Sequence, residues 1–304
     1  MAKWTSDNIP TQLGRSAVIT GTGGLGYEDA LALARAGGDV TIAGRNPQKG
    51  AEAVRQILAE VPGANIRFEE LDLASLKSVA DFSTRLASQQ ESLDLLINNA
   101  GVMVPPQRQV TADGYELQLG TNYLGHFALT ASLLPLLRRG RDARVVSLSS
   151  VAARDGRIDF DDINAERSYN PMRVYSQSKI ACLMFALELQ RRSLAGGWGV
   201  TSLGAHPGVS RTDLLHNAPG RNSPAALART YLWFLFQPAW QGALPTLYAA
   251  TSPEARGGVY YGPGGMQEIR GYPAEAKIPV QALDAAASRR LWEESERLTG
   301  TRFP

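Results

Sequence analysis

A tyrosine and a lysine four positions apart, Tyr175 and Lys179, are the side chains of this sequence best suited to proton transfer. Residues four apart on a helix lie on the same face, so the phenol and the ammonium would be neighbours. A nearby ammonium stabilises the phenolate form of a tyrosine, which lets the phenol exchange a proton with an alcohol or carbonyl oxygen near neutral pH. The pair also occurs on solvated helix faces, so its meaning depends on the rest of the chain.

The segments around this pair alternate between short apolar runs and helical stretches, which is typical of a parallel sheet covered on both faces. We expect strands over 16–20, 40–43, 66–71, 93–97, 143–148, 200–205 and 258–261, and helices over 27–36, 47–60, 75–89, 114–137, 174–194 and 284–298. The predicted fold class is therefore α/β with a doubly wound parallel sheet. No repeat or low-complexity linker interrupts the sequence. Residues 1–304 are predicted to form one domain, with a cofactor-binding part over about 14–206 and a substrate-lid insertion over about 209–256 that contains apolar aromatic helices.

A glycine-rich loop, Thr20-Gly-Thr-Gly-Gly-Leu-Gly26, joins the first predicted strand to the first predicted helix. Its glycines satisfy the G-x-G-x-x-G spacing, which permits a tight turn and lets a diphosphate approach the helix N-terminus. The second strand is followed by Arg45 and Asn46 instead of the acid that holds the ribose hydroxyls in NAD sites. Because a guanidinium pairs with phosphate, we expect NADP(H) to be favoured over NAD(H).

Four motifs in this order resemble the short-chain dehydrogenase/reductase family: the glycine loop, Asn98-Asn-Ala-Gly101, Ser147-Leu-Ser-Ser150 and the Tyr175–Lys179 pair. A fifth, Pro207-Gly-Val-Ser-Arg-Thr212, stands where the family closes its nicotinamide pocket. The match covers about residues 14–212 and implies a Rossmann-type fold. The glycine loop is one residue shorter than the usual family loop, which indicates either a tighter path or altered phosphate contacts.

Three further features resemble the retinol-dehydrogenase-like and protochlorophyllide-reductase-like branch of that family, many of whose members prefer NADP(H). Ser150 and Tyr175 are 25 positions apart, with a polar insert over 154–173 between them. The other two features are Ala43-Gly-Arg-Asn46 and Tyr123-Leu-Gly-His-Phe127.

The resemblance implies a role for each motif residue. Tyr175 is expected to be the acid/base, with Lys179 as its electrostatic partner and a ligand of the nicotinamide ribose. Ser150 is expected to hydrogen-bond the substrate oxygen, and Asn122 to hold a proton-relay water. The expected cofactor-binding residues are Gly21, Thr22, Gly24, Leu25, Gly26, Arg45, Asn46, Asp72, Leu73, Asn99, Ala100, Gly101, Tyr175, Lys179, Pro207, Gly208, Val209 and Thr212.

The expected activity is hydride transfer between NADP(H) and a carbonyl or alcohol. The segments 154–173 and 209–256 are expected to build most of the substrate pocket, and their aromatic content indicates an apolar or aromatic ketone, aldehyde or alcohol. An alternative is a catalytically silent dinucleotide-binding regulator or scaffold of the same fold. A serine hydrolase is disfavoured because the sequence has no Gly-x-Ser-x-Gly elbow.

Several side chains have more than one interpretation. Ser149 and Ser150 end a strand, where adjacent side chains face opposite sides, so only one can serve the site. The family resemblance implies that Ser150 is that residue. His126 and His206 are expected to be packed and hydrogen-bonded, and Cys182 to lie in the core. The aromatic block over 231–236 could equally line a substrate pocket or contact another subunit, and both are preferred over contact with a membrane surface.

The overall composition excludes several classes of function. The net charge of +2 without a basic stripe gives no case for nucleic-acid binding. One cysteine allows no internal disulfide and fits a reducing compartment, and the cysteine and three histidines show no metal-ligand spacing. The N-terminus has no apolar signal segment, and the most lipophilic stretch, 225–240, is too interrupted to cross a bilayer. We therefore expect a cytoplasmic protein, and the family resemblance implies a homo-oligomer, a dimer or tetramer.

Overall fold

The computed structural model of the chain describes residues 3–210 and 237–304. Short buried apolar runs form the strands, which are β1 (Ser16–Thr20), β2 (Asp39–Gly44), β3 (Ile66–Glu70), β4 (Leu95–Asn98), β5 (Arg144–Leu148), β6 (Thr201–Ala205), β7 (Tyr260–Pro263) and β8 (Pro273–Glu275). They make one sheet in the order β3-β2-β1-β4-β5-β6-β7-β8. Neighbouring strands from β3 to β7 run parallel, and β8 pairs antiparallel with β7.

Helices follow most of the strands and cover both faces of the sheet. They are α1 (Leu25–Arg35), α2 (Pro47–Glu60), α3 (Leu76–Gln89), α4 (Gly125–Leu137), α5 (Pro171–Gly196), α6 (Ala239–Thr251) and α7 (Ala285–Thr299). Side-chain oxygens of Asn46, Ser75, Asn170 and Asp284 accept backbone N–H groups at the starts of α2, α3, α5 and α7. These caps satisfy donors that a helix start leaves unpaired, and they fix where each helix begins.

Two apolar cores lie on opposite faces of the sheet. Buried side chains of α1, α2 and α6 form one core, and those of α3, α4, α5 and α7 form the other. Strands with both faces buried carry nearly continuous apolar sequences, which explains the pattern of β1, β2 and β4. The predicted Rossmann-type α/β fold class is thereby confirmed.

The predicted segment 114–137 differs from the structure at its start. Residues 111–116 form a tight turn in which Thr111 N–H donates to the Tyr115 carbonyl and Gly114 has a φ of +85°. A π-helical segment, Leu119–Leu124, follows and runs directly into α4. Helical structure therefore begins at residue 117, three residues later than predicted.

The predicted strands and the other predicted helices are found with shifts of a few residues at their ends. Helix α1 begins at Leu25 instead of residue 27, and the three-residue edge strand β8 was not predicted. The expected helical content of the insertion 209–256 is found at α6, within the described part of that insertion.

Candidate active site

A cavity of about 690 Å³ opens at the carboxyl ends of β1, β4, β5 and β6. At this point the chain connections diverge, since β2 and β4 pair with opposite sides of β1. In open α/β sheets such a divergence leaves a crevice for a ligand. Residues of the glycine loop, the Asn98–Gly101 motif, the Ser147–Ser150 motif and the Tyr175–Lys179 pair all line it.

The glycine loop takes a short path from β1 to α1 over residues 21–24. Gly21 and Gly24 have φ values of +100° and +54°, which side-chain-bearing residues rarely adopt. A Cβ on Gly26 would lie 2.5 Å from the Gly21 carbonyl oxygen. The first turn of α1 can therefore pack against the loop only because residue 26 is glycine.

Asn99 braces this loop from the neighbouring strand end. Its side-chain amide donates to the Thr20 carbonyl at 2.7 Å, and the N–H groups of Asn99 and Ala100 both donate to Thr20 Oγ1 at 2.9 Å. A Cβ on Gly21 would approach the Asn99 amide nitrogen to 2.8 Å. The glycine loop and the Asn98–Gly101 motif therefore form one rigid unit.

Ser150, Tyr175 and Lys179 reach the same cavity from two elements. Ser150 follows β5 and caps a short 3-10 helix, where its Oγ accepts the Ala152 N–H at 3.2 Å. Tyr175 and Lys179 lie on successive turns of α5 and are 6% and 5% exposed. The Lys179 ammonium nitrogen is 5.9 Å from the centroid of the Tyr175 ring.

The Lys179 side chain is anchored to the end of β5. Its ammonium donates to the Leu148 carbonyl at 3.2 Å, while its own carbonyl accepts the Ser149 hydroxyl at 2.7 Å. The Ser149 hydroxyl therefore connects the end of β5 to α5 by a hydrogen bond. The Ser150 hydroxyl accepts only a backbone N–H among the described residues, so its proton is available to donate into the cavity.

Asn122 lies behind the cavity wall in the π-helical segment. Its side-chain oxygen accepts the Val102 N–H at 2.7 Å, and its amide donates to the Val102 carbonyl and to Ser178 Oγ. A Cβ on Gly101 would be 3.0 Å from the Asn122 side-chain oxygen and 3.5 Å from the Lys179 ammonium. Glycine at 101 thus allows both groups to approach the backbone that lines the cavity.

Most of the predicted site residues are brought together here. The predicted residues that line the cavity are Gly21, Thr22, Gly24, Leu25, Asn99, Ala100, Gly101, Ser150, Tyr175, Lys179, Pro207, Gly208 and Val209. Those that do not line it are Gly26, Arg45, Asn46, Asp72, Leu73 and Asn122. Thr212 and the aromatic block 231–236 lie outside the described residues.

The predicted residues outside the lining have other local roles. Asn46 caps α2 by accepting the Lys49 N–H at 2.9 Å, and Arg45 beside it is exposed. The Asp72 carboxylate accepts the Ala74 N–H at 2.9 Å in the turn before α3. Gly26 packs closely against Gly21 and Asn99. It therefore helps to shape the glycine loop although it does not line the cavity.

Thirteen lining residues were not among the expected site residues, although four of them, Gly23, Leu148, Ser149 and Ser210, belong to the motifs. Those on the α1–α2 side are Tyr27, Lys49, Glu52, Ala53 and Gln56. The others are Gly23, Met103, Leu148, Ser149, Val151, Ala152, Met172 and Ser210. Of the insert 154–173, Met172 alone lines it. Sequence spacing did not predict the lining residues of α1 and α2, because the packing of these two helices decides which of their side chains reach the glycine loop.

The histidines and the cysteine are packed as expected in the described part of the chain. His126 is buried, and burial lowers its pKa to about 4. His206 Nδ1 accepts the Gly208 N–H, so its Nε2–H donates to Glu268 Oε2 at 3.1 Å. Cys182 is buried, and burial raises the pKa of its thiol, which makes it a poor nucleophile.

The cavity fits a dinucleotide on geometric grounds. The backbone of residues 21–24 faces it without side chains at three positions, and the N-terminus of α1 ends at the same loop. Helix N-termini and glycine-rich turns favour phosphate, because unpaired N–H groups point outward. The residues that would hold the diphosphate are Gly21 to Leu25, and Pro207 to Val209 line the opposite end.

The comparison with family models agrees with this geometry. Residues 15–222 match the model described as short chain dehydrogenase. The chain belongs to the short chain dehydrogenase family. It is 42% identical to mouse polyprenol dehydrogenase, with 96% of this chain and 86% of the relative covered. It is 39% identical to human retinol dehydrogenase 13, with coverage of 96% and 86%.

A solved structure shares the fold over the full length of the chain. The crystal structure of an uncharacterized protein from Mycobacterium paratuberculosis is 38% identical, with a TM-score of 0.82 and complete coverage of both chains. These relatives place this dehydrogenase in the retinol-dehydrogenase-like branch. It is an enzyme that acts on CH–OH and C=O groups. Among residues 3–210 and 237–304, no helix is long and apolar enough to cross a membrane.

Proposed function

We propose that this enzyme transfers a hydride between NADP(H) and an apolar alcohol or carbonyl compound. The observation behind this proposal is that Ser150, Tyr175 and Lys179 line the same cavity as the glycine loop. Phosphate-binding backbone at one end and a phenol beside an ammonium at the other are the parts that this reaction requires.

Each catalytic side chain has a proposed role. In reduction, the Tyr175 hydroxyl gives its proton to the carbonyl oxygen, and in oxidation the phenolate takes the alcohol proton. The Ser150 hydroxyl donates a hydrogen bond to that oxygen, and the Lys179 ammonium stabilises the phenolate. When bound, the nicotinamide cofactor supplies or accepts the hydride at the substrate carbon. Asn122 is proposed to hold Val102, and with it the backbone that lines the cavity beside Lys179.

The decisive test is Tyr175→Phe. Because a positioned acid/base contributes about 10²–10⁴-fold, turnover should fall by that factor while NADPH still binds. Absorbance at the reduced nicotinamide wavelength follows turnover, and fluorescence titration follows binding. Tyr169→Phe is the matched control, since the Tyr169 hydroxyl donates to the Pro105 carbonyl outside the cavity lining. Retained turnover in Tyr175→Phe, or equal losses in both variants, would refute the proposed role.

Two cations at the start of α2 support the preference for NADP(H). Lys49 lines the cavity, and Arg45 lies four residues before it at the exposed end of β2. Neither forms an ion pair within the described residues. Both are therefore available to a 2′-phosphate, and a guanidinium and an ammonium favour that group electrostatically.

Arg45→Ala and Lys49→Ala test this preference. Because a hydrogen bond to a charged group contributes about 1.5–3 kcal/mol, each substitution should weaken NADPH binding by about 10- to 100-fold. NADH binding should change little, since NADH has no 2′-phosphate. Lys77→Ala, at an exposed lysine paired with Asp81 on α3, is the control. Equal losses for both dinucleotides would argue against phosphate recognition by these residues.

The substrate proposal is based on the apolar lining near Tyr175. Met103, Val151, Ala152 and Met172 line the cavity and offer no charge to a polar substrate. Val151 and Ala152 directly follow Ser150, and Met172 precedes Tyr175 by three residues on α5. Two relatives are named for retinol and polyprenol, which are apolar alcohols. We therefore expect turnover to be fastest with apolar primary alcohols and their aldehydes in a chain-length panel. Faster turnover of short polar alcohols would contradict this assignment.

A further inference from the structure

His126 joins two parts of the site that lie on different elements. It is 4% exposed on the first turn of α4, four residues after Asn122. Its Nδ1 is 2.9 Å from the backbone carbonyl oxygen of Asn122, and its Nε2 is 2.9 Å from Thr20 Oγ1. One imidazole therefore connects the end of β1, immediately before the glycine loop, to the segment that contains Asn122.

The partners of this imidazole allow one assignment of protons. A carbonyl oxygen can only accept, so His126 Nδ1 has the proton and donates it to Asn122. Thr20 Oγ1 already accepts the N–H groups of Asn99 and Ala100, and its own hydrogen is donated to the nearer acceptor, His126 Nε2 at 2.9 Å, in preference to the Ile97 carbonyl at 3.4 Å. Burial lowers the pKa of His126 to about 4, the hydrogen bond to Asn122 opposes that shift, and the nearby Lys179 ammonium adds to it. The ring is therefore neutral over the physiological range.

The Asn122 carbonyl has a second donor. Cys182 on α5 donates its thiol hydrogen to the same oxygen at 3.1 Å. The Asn122 side chain is hydrogen-bonded to Val102 and Ser178. Both its backbone carbonyl and its side-chain amide therefore have partners within the chain. Of these partners, His126 is the one that leads directly to the β1 end and the glycine loop.

We propose that His126 is a positioning residue that, as the neutral Nδ1–H tautomer, fixes the glycine loop relative to Asn122 and Lys179. Asn99 and Ala100 line the cavity and hydrogen-bond the same Thr20 oxygen, so a change at His126 is transmitted to both sides of the site. The consequence for turnover rests on the proposed function, but the tautomer does not. The imidazole touches neither substrate nor the reacting atoms.

The tautomer can be measured without any turnover. Full-length protein labelled with ¹⁵N-histidine has three histidines, and the His126→Gln variant identifies which signals belong to His126. The expected spectrum is that of a neutral ring protonated at Nδ1, unchanged between about pH 5 and pH 8. A His126 ring that titrates within that range, or one protonated at Nε2, would overturn the proposal.

The effect on the site is tested with a graded set of variants. His126→Leu removes both hydrogen bonds, whereas the amide of His126→Gln supplies one donor and one acceptor. Because a small misplacement of a catalytic group costs up to about 10²-fold, kcat should fall about 10- to 100-fold in His126→Leu and recover largely in His126→Gln. Leu133→Val, a buried truncation on the same helix, should destabilise the protein without lowering kcat.

Thr20 provides the matching half of a double-mutant cycle. Thr20→Val removes the hydroxyl at nearly constant volume, and Thr20→Ser retains it. If His126 acts through this hydroxyl, the losses of kcat and NADPH affinity should not add. The double variant Thr20→Val/His126→Leu should then be no worse than the more impaired of the two single variants. Additive losses, or a kcat loss in Leu133→Val equal to that in His126→Leu, would show a merely structural role. A Tyr175→Phe variant with retained turnover would refute the proposed function while leaving the tautomer result unchanged.

Discussion

Ser149 and Ser150 are adjacent, yet the structure gives them opposite tasks. The Ser149 hydroxyl donates to the Lys179 carbonyl, whereas the Ser150 hydroxyl keeps its proton available beside Tyr175. Strand-end geometry explains the division, since consecutive side chains leave a strand on opposite sides. The sequence motif contained both serines; strand-end geometry predicted that only one of them serves the site, and the family resemblance selected Ser150.

Alanine variants of the two serines should therefore differ in kind. Ser150→Ala should lower turnover by about 10²–10³-fold, the effect of removing one donor to a developing oxyanion, with unchanged stability. Ser149→Ala should instead lower the free energy of unfolding by about 1–3 kcal/mol, because a buried carbonyl loses its partner. Steady-state kinetics and urea unfolding separate the two. A larger kcat loss in Ser149→Ala than in Ser150→Ala would reverse the assignment.

Asp29 is a buried carboxyl group on α1 that we expect to make stability depend on pH. It is fully buried, and neither carboxylate oxygen has a hydrogen-bond partner among the described residues. Burial therefore raises its pKa well above the usual range, and the neighbouring Glu28 adds to the shift. Between the pKa of an unfolded aspartate, about 3.9, and that of folded Asp29, the native state holds a proton that the unfolded state has lost.

The free energy of unfolding should consequently fall as the pH rises through that window, by at most about 1.4 kcal/mol per pH unit from this group. Asp29→Asn, which cannot ionise, should lack that part of the slope and should gain stability relative to the parent as the pH rises. Urea unfolding at a series of pH values measures the difference, with Asp81→Asn, at an exposed carboxylate, as control. Parallel pH profiles for Asp29→Asn and the parent would contradict the expectation.

The site residues that the sequence predicted are those that belong to short contiguous motifs. Gly21, Asn99, Ser150, Tyr175 and Lys179 all line the cavity, because each motif stands at the carboxyl end of a strand or on the helix that faces it. Lining residues of α2, such as Lys49 and Gln56, were not predicted. Their approach to the glycine loop depends on how α1 and α2 pack, and one sequence does not determine that distance.

At the scale of elements, the turn before α4 was the least predictable part of the fold. The segment has the same apolar content as a continuous helix, so its periodicity gave no sign of the π-helical turn at Leu119–Leu124. The geometry depends on close packing: a Cβ on Gly120 would lie 2.4 Å from Thr111 Cγ2, and one on Gly125 2.4 Å from the Leu73 carbonyl. Such contacts become visible only once the elements are assembled.

By contrast, the alternation of elements was predictable because each strand has both faces buried. β1 and α2 have the predicted bounds, since a glycine loop ends the strand and Asn46-Pro47 starts the helix. The edge strand β8 has only three residues and two partly buried positions, too short for a pattern to form. The ends of strands and helices were therefore predicted accurately where glycine, proline or a capping residue marks them in the sequence.

At the scale of the whole molecule, α7 closes the core on the α4–α5 face. The Trp292 ring packs edge-on against Phe127 at 5.1 Å, stacks on Phe185 at 5.7 Å and meets Phe303 at 4.4 Å between centroids. The Arg192 guanidinium lies 4.4 Å from the centroid of the Trp292 ring. One side chain therefore connects α4, α5, α7 and the C-terminal residues in a single aromatic cluster.

Trp292→Ala should accordingly destabilise the entire protein and not only its last helix. Trp292 is 1% exposed, and truncation of a fully buried tryptophan costs about 3–5 kcal/mol through lost contacts and the cavity left behind. Trp240→Ala is the matched control, because Trp240 is 49% exposed and its loss should cost about 1 kcal/mol or less. Urea unfolding followed by circular dichroism should show one cooperative transition shifted to lower denaturant in Trp292→Ala. If α7 were an independent appendage, the variant would keep the parent midpoint for the main transition and lose only a small early helical signal.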